Sequence, residues 1–124
     1  MTFLDTSVII DFLAGDEKIV SKIKEITKRN KIKTTTITEY ELLKHQNELK
    51  RDIADKFLSA VTVCPFDRAS AKQAAFLFEK LQERGSMINE NDLLIAGTVL
   101  ACGDVLLTRD KKFAYLNEAN IEII

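Results

Sequence analysis

Short runs rich in apolar or β-branched residues recur along the chain with helix-length segments between most of them, and this alternation limits the fold more than any other feature. The runs are TFL (2–4), IKTTT (32–36), VTVCPF (61–66), DVLLT (104–108) and IEII (121–124). β-Branched side chains fit the pleated surface of a strand. The segments between them carry helical periodicity and helix punctuation. Gly15 stops a short helix over SVIIDFLA (7–14), and Asp16 caps a second through about Arg29, with Ile19, Ile23 and Ile26 on one face. A third helix covers TEYELLKHQNELK (38–50) and a fourth covers 52–60. Asp67 caps the next, whose stripe is Ala71, Ala74, Phe78 and Leu81 and which ends at Gly85. Asn89 caps the last, through Leu100, and Gly103 closes it. Strands joined through helices of this length imply right-handed crossovers and a parallel sheet covered on both faces. The predicted fold is α/β, a three-layer α/β/α sandwich around a central, mainly parallel sheet of about five strands.

Other features bound the function. With 124 residues, 46% of them hydrophobic, one domain over 1–124 can build a core of ordinary size. Nothing approaches a transmembrane span, and MTFLDTSVIIDFLAGD meets an Asp too soon for a signal peptide, so a cytoplasmic protein with no membrane partner is expected. Cys64 and Cys102 sit in apolar stretches without metal-ligand spacing and read as buried, reduced thiols. His45 is the only histidine, which excludes a histidine-pair mechanism, and it reads as structural or surface. Phe76, Phe78 and Phe113 read as core, and Tyr40 and Tyr115 as core or rim. No glycine-rich phosphate loop is present. Residues 17–56 hold eleven Lys or Arg against seven acids, while the remainder holds seven against twelve. The basic surplus is densest in KIVSKIKEITKRNKIK (18–33), a solvated amphipathic helix with phosphate contact as its alternative role.

The acids carry the chemistry. Ligands of an open parallel sheet bind beyond the carboxyl ends of its strands. Asp5 lies just past the first predicted strand, Glu39 just past the second, and Asp110 just past the fourth. Asp92 lies in the first turn of a helix that starts at the same edge, because a helix leading into a parallel strand must run back down the sheet. Singly, each acid has a plain structural role: Asp5 as a helix cap, Glu39 and Asp92 as acids favoured at a helix N-terminus, Asp110 as a turn residue. Jointly they repel. Two charges about 6 Å apart at an effective dielectric near 20 cost roughly 3 kcal/mol. Arg109 and Lys111 cannot easily neutralise all four acids, so a divalent cation is the natural relief. Oxygen ligands without histidine or cysteine suit Mg²⁺ or Mn²⁺ rather than zinc. Ser7 and Thr108 add hydroxyls at the same edge, either as cap and strand-end residues or as supporting groups for a phosphate or water.

LDTSVII, TITEYELL with Glu39, NDLLIAGTVLACG with Asp92 and VLLTRDKKF with Asp110, in this order, resemble the PIN domain over essentially the whole chain. The likeness is nearest to the single-domain VapC-type toxin ribonucleases. It implies a metal-dependent endoribonuclease that hydrolyses RNA with a metal-activated water. Asp5, Glu39, Asp92 and Asp110 would be the acids that hold Mg²⁺ or Mn²⁺, with Glu39 either a ligand or the group that orients the water. Ser7 and Thr108 match the supporting hydroxyls. The resemblance also implies a homodimer and a small antitoxin partner that blocks the acidic pocket. Some relatives place a further acid near Asp92; Glu90 is the only candidate and stays outside the set. Asp11 is expected to face away from Asp5, toward solvent or a helix end, and the 18–33 run is the expected path of the RNA. The alternatives are a PIN nuclease for RNA maturation and a non-catalytic PIN-like binding module. A phosphoacceptor receiver domain is more remote, since strand three leads into CPFDRAS, where Asp67 reads as a cap, and only Asp5 follows strand one.

Overall fold

The computed structural model describes residues 1–45 and 47–124. In chain order it runs β1 (Thr2–Leu4), α1 (Thr6–Leu13), α2 (Glu17–Thr27), β2 (Ile32–Thr35), α3 (Thr36–Leu43), α4 (Glu48–Ala60), β3 (Thr62–Cys64), α5 (Arg68–Arg84), α6 (Glu90–Cys102), β4 (Val105–Thr108), a 3₁₀ turn (Lys111–Tyr115) and β5 (Asn120–Ile123). All four strand pairings are parallel, in the order β3-β2-β1-β4-β5. The expected α/β/α architecture is therefore present. Its strands fall within two residues of the expected bounds.

Adjacent residues on the central strands face opposite layers. Phe3 and Leu106 pack with Leu77, Leu81, Ile95, Ala96 and Val99 of α5 and α6. Leu4 and Leu107 pack with Val8, Ile9, Ile19, Ile23, Leu42 and Leu58 of α1 to α4. Both faces of β1 and β4 are thus covered, as parallel strands require. From β1 the chain steps to β2 and β3 on one side, then returns to β4 and β5 on the other. A right-handed crossover must change faces when its direction reverses, so α5 and α6 form the second helical layer.

The helix starts follow from capping. Asp5, Asp16, Thr35, Asn47, Asp67 and Asn89 each accept a backbone N–H two or three residues on. Gly85 and Gly103 end α5 and α6 in the left-handed conformation that glycine adopts without strain. Several expectations need correction. The helix expected over 38–50 crosses residue 46, which lies outside the described residues; α3 ends at Leu43 and the next helix starts at Glu48, because Asn47 supplies a cap to Lys50. Along α5 the inward stripe is Ser70, Ala74, Leu77 and Leu81, so Ala71 faces outward and Phe76 and Phe78 are 40% and 37% exposed. Cys102 is exposed rather than buried.

The stripe takes that position because α5 and α6 touch backbone to backbone. A Cβ built on Gly97 would stand 2.7 Å from the Ala74 Cβ and 2.9 Å from its Cα. In a helix exposed to solvent, Gly→Ala gains up to about 1 kcal/mol. Here the sign should reverse: Gly97→Ala is expected to lower the unfolding free energy by roughly 1–3 kcal/mol in urea titrations, as an overpacked core does.

Candidate functional site

The strand order creates one switch point, between β1 and β4, where the chain departs in opposite directions. The crevice beyond such a junction is where open α/β sheets bind ligands. Asp5 follows β1 here and is only 4% exposed. Three groups hold its carboxylate. Thr108 Oγ1, at the end of β4, donates to Oδ2 at 2.5 Å; Ser7 Oγ and the Val8 N–H donate to Oδ1 at 2.8 and 3.1 Å. Asp5 is thus the cap of α1 and also a buried acid spanning the junction. Burial raises its carboxyl above the ordinary range, the three hydrogen bonds pull it back, and the Asp110 charge raises it further.

Asp110 lies two residues beyond β4. Its N–H donates to Thr108 Oγ1 at 3.0 Å, and its Oδ1 accepts from the Lys112 N–H at 2.9 Å, so the carboxylate caps the 3₁₀ turn. Asp92 sits in the first turn of α6 and is partly buried. Its carboxyl is pushed up to about 6, first by burial and then by the charges of Asp110, Asp5 and Glu41, with Lys112 opposing them. Three of the four expected acids, Asp5, Asp92 and Asp110, therefore form one electrostatic cluster.

The fourth position differs from expectation. The glutamate whose charge acts on Asp92 is Glu41, not Glu39. Two helical residues are separated by about 200° around the axis, so the side chains of Glu39 and Glu41 leave α3 on different sides. Glu41 Oε1 accepts from Thr6 Oγ1 at 2.5 Å, and its Oε2 accepts from Asn91 Nδ2 at 3.4 Å. Among the described residues Glu39 has no such partner. TITEYELL offers two acids at nearby positions, and only Leu42, buried toward the sheet, hints at which one turns inward.

The Arg109 charge is committed elsewhere. Arg109 Nη1 binds Asp11 Oδ2 and Asp16 Oδ2, each at 3.0 Å, which draws it away from the acids. Asp11, expected at solvent or a helix end, is partly exposed and shares Arg109 with Asp16, the cap of α2. The Arg109 N–H also donates to Ser7 Oγ at 3.4 Å. The basic run 18–33 is not gathered here either. α2 leads from Asp16 back to the amino edge, where the Lys31 carbonyl accepts from the Thr2 N–H and Lys33 pairs with Asp104. Lys22 pairs with Glu122. His45 is exposed at the rim of an apolar cleft of about 280 Å³, lined by Ile10, Leu13, Leu42, Ile53 and Ala54. Glu41 belongs to both the cleft and the acid cluster.

Oxygen donors of one sign around a partly dehydrated crevice suit a hard divalent cation. Asp5 Oδ2 has a single hydrogen-bond donor and keeps acceptor capacity. Among the described residues, no three His, Cys, Asp or Glu side chains stand in metal-holding geometry. The crevice is marked by mutual repulsion rather than by a finished cage.

Among known protein families, the PIN domain model matches residues 2–119. No curated protein matches the chain in sequence. Solved structures do. VapBC-5 of Mycobacterium tuberculosis, a member of the VapBC family of toxin–antitoxin systems, is 30% identical with a TM-score of 0.72, covering 99% of this chain and 96% of the other. VapBC2 of Rickettsia felis, bound to a DNA fragment from its promoter, has a TM-score of 0.89 at 23% identity, covering 99% and 98%. DNA-bound VapBC of Salmonella typhimurium has a TM-score of 0.86 at 24% identity, covering 98% and 96%.

A raised carboxyl fixes the sign of a pH effect. Between pH 3.8 and about 6 the native Asp92 keeps a proton that the unfolded chain has lost. Its contribution to stability is therefore present at low pH and lost as pH rises through that window. Asp92→Asn cannot ionise. In chelator-treated samples its stability relative to wild type should improve from pH 4 to pH 7 by roughly 1–2 kcal/mol, allowing for solvent screening. Denaturant titrations at several pH values check this; a pH-independent difference would remove the repulsion argument.

Proposed function

This chain belongs to the PIN domain family, and on that premise we propose that it is a divalent-metal-dependent endoribonuclease that hydrolyses RNA phosphodiester bonds, acting as the toxin of a toxin–antitoxin pair. One observation carries this reading. The Asp92 carboxyl is pushed up to about 6 by burial and by Asp110, Asp5 and Glu41, acids contributed by separate segments of the chain. Carboxylates that oppose one another's charge at a sheet's switch point call for a bound cation, and the oxygen-only set fits Mg²⁺ or Mn²⁺.

Asp5, Asp92, Asp110 and Glu41 are the residues proposed to hold the ion, with Glu41 in the role first read for Glu39. A cation there would activate a water for attack and offset charge building on the phosphate. The chain supplies the rest. Ser7 and Thr108 fix the Asp5 carboxylate from both sides, and Thr108 also anchors the Asp110 backbone. Lys112, whose charge opposes the acids at Asp92, is the proposed contact for an incoming phosphate. Likeness to the VapBC structures supports an antitoxin partner, and the apolar cleft that shares Glu41 supports a docking place beside the acids. A homodimer belongs to the same reading.

The two glutamates of α3 give a discriminating test. Glu41→Gln should lower cleavage of a fluorogenic RNA in Mg²⁺ or Mn²⁺ on the order of 100-fold, whereas Glu39→Gln should retain most activity. Expression of the wild type should arrest bacterial growth, and the Glu41→Gln variant should not. Wild-type protein that leaves RNA intact with either metal would defeat the proposal, as would a reversed ranking of the two variants.

A further inference from the structure

We propose that Thr6 and Asn91 are positioning residues that clamp Glu41 from both sides and thereby set its carboxylate for the cation; this rests on the reading of the acids as a divalent-metal site. Thr6 Oγ1 donates to Glu41 Oε1 at 2.5 Å, a short, charge-assisted contact. Asn91 Nδ2 reaches the other oxygen at 3.4 Å. The two donors come from α1 and α6, and Glu41 from α3. Each follows or precedes an acid of the cluster by one residue, Thr6 after Asp5 and Asn91 before Asp92. A shift of either helix would therefore move an acid and the clamp together.

Behind Thr6 lies a chain of hydroxyls. Thr6 Oγ1 stands 3.2 Å from Thr38 Oγ1, which stands 3.4 Å from Thr35 Oγ1, and Thr35 and Thr38 are both fully buried. A carboxylate only accepts, so the Thr6 proton must point to Glu41. Thr38 can then donate to Thr6, and Thr35 to Thr38. Thr35 Oγ1 accepts in turn from the Thr38 N–H at 3.1 Å, as the cap of α3. Every proton is assigned in one direction, and the line ends on Glu41. Such ordered lines polarise one another and resist reorientation. The run TTTIT (34–38) thus ends a strand, caps a helix and, through Thr6, backs an acid about one turn further along α3.

Outer hydrogen bonds to ligating groups change metal affinity by about 10- to 100-fold when removed. The probe is Mn²⁺ alone, titrated into the full chain and read by electron paramagnetic resonance, with metal-free melts and RNA cleavage alongside. Thr6→Val keeps the shape and loses the donor, and should weaken Mn²⁺ binding about tenfold; Thr6→Ser keeps the donor and should stay close to wild type. Asn91→Ala, at a partly exposed position, should weaken binding about threefold, and it carries the test should Thr6→Val fail to fold. In the Glu41→Gln background, Thr6→Val should add no further loss, which a general loosening of the fold would. Unchanged binding in both single variants, or Thr6→Ser as weak as Thr6→Val, overturns the clamp alone. Wild-type protein that binds no Mn²⁺ overturns the cation reading and the clamp with it.

Discussion

The carboxylate of Asp5, buried across the junction of β1 and β4, is the constraint on which the site depends. A charge at 4% exposure is expensive unless donors replace its water. Thr108, Ser7 and the Val8 N–H do so, and each also builds the fold. Thr108 closes β4 against β1, and the Val8 contact starts α1. Removing the acid would cost a helix cap as well as a member of the acid cluster. The chemistry is therefore inseparable from the way the central strands are tied at their carboxyl ends.

The residues around the crevice follow the same economy. Arg109 is the arginine nearest the acids in sequence, yet two aspartates, Asp11 and Asp16, draw it to α1 and the start of α2. The Ile19 N–H, and after it this pairing, hold the Asp16 carboxyl below the ordinary range, while Asp92 is left above it. Arg109 is thus withheld from the cluster, and Lys112 offsets only part of the repulsion among Asp5, Glu41, Asp92 and Asp110. Within the core, the Gly97–Ala74 approach fixes α6, and with α6 the height of Asp92 above the sheet.

The strands were legible because β-branched runs and capping residues act locally. A cap needs only a side-chain oxygen and a free N–H two or three residues on, so Asp16, Asp67 and Asn89 could be recognised without any tertiary contact. Phe76 and Phe78 were misread as core because the stripe of α5 is set by the small residues its partner helix demands, and no local pattern states that demand. The Asp11 ion pair was not legible for a similar reason: its partner, Arg109, is 98 residues away in sequence.

Read alone, the sequence determined the alternation of strands and helices, the parallel sense of the sheet and the segments whose acids reach its carboxyl edge, since crossover length and capping chemistry are properties of neighbouring residues. Only the tertiary structure decided the strand order β3-β2-β1-β4-β5, and with it that Asp5 and Thr108 meet across the switch point. It also set which glutamate of α3 lies within reach of Asp92, Glu41 rather than Glu39. Both lie in one polar turn, and their roles part only when the rotation of α3, fixed by Leu42 in the core and by Thr6 and Asn91 at the rim, turns Glu41 toward the other acids.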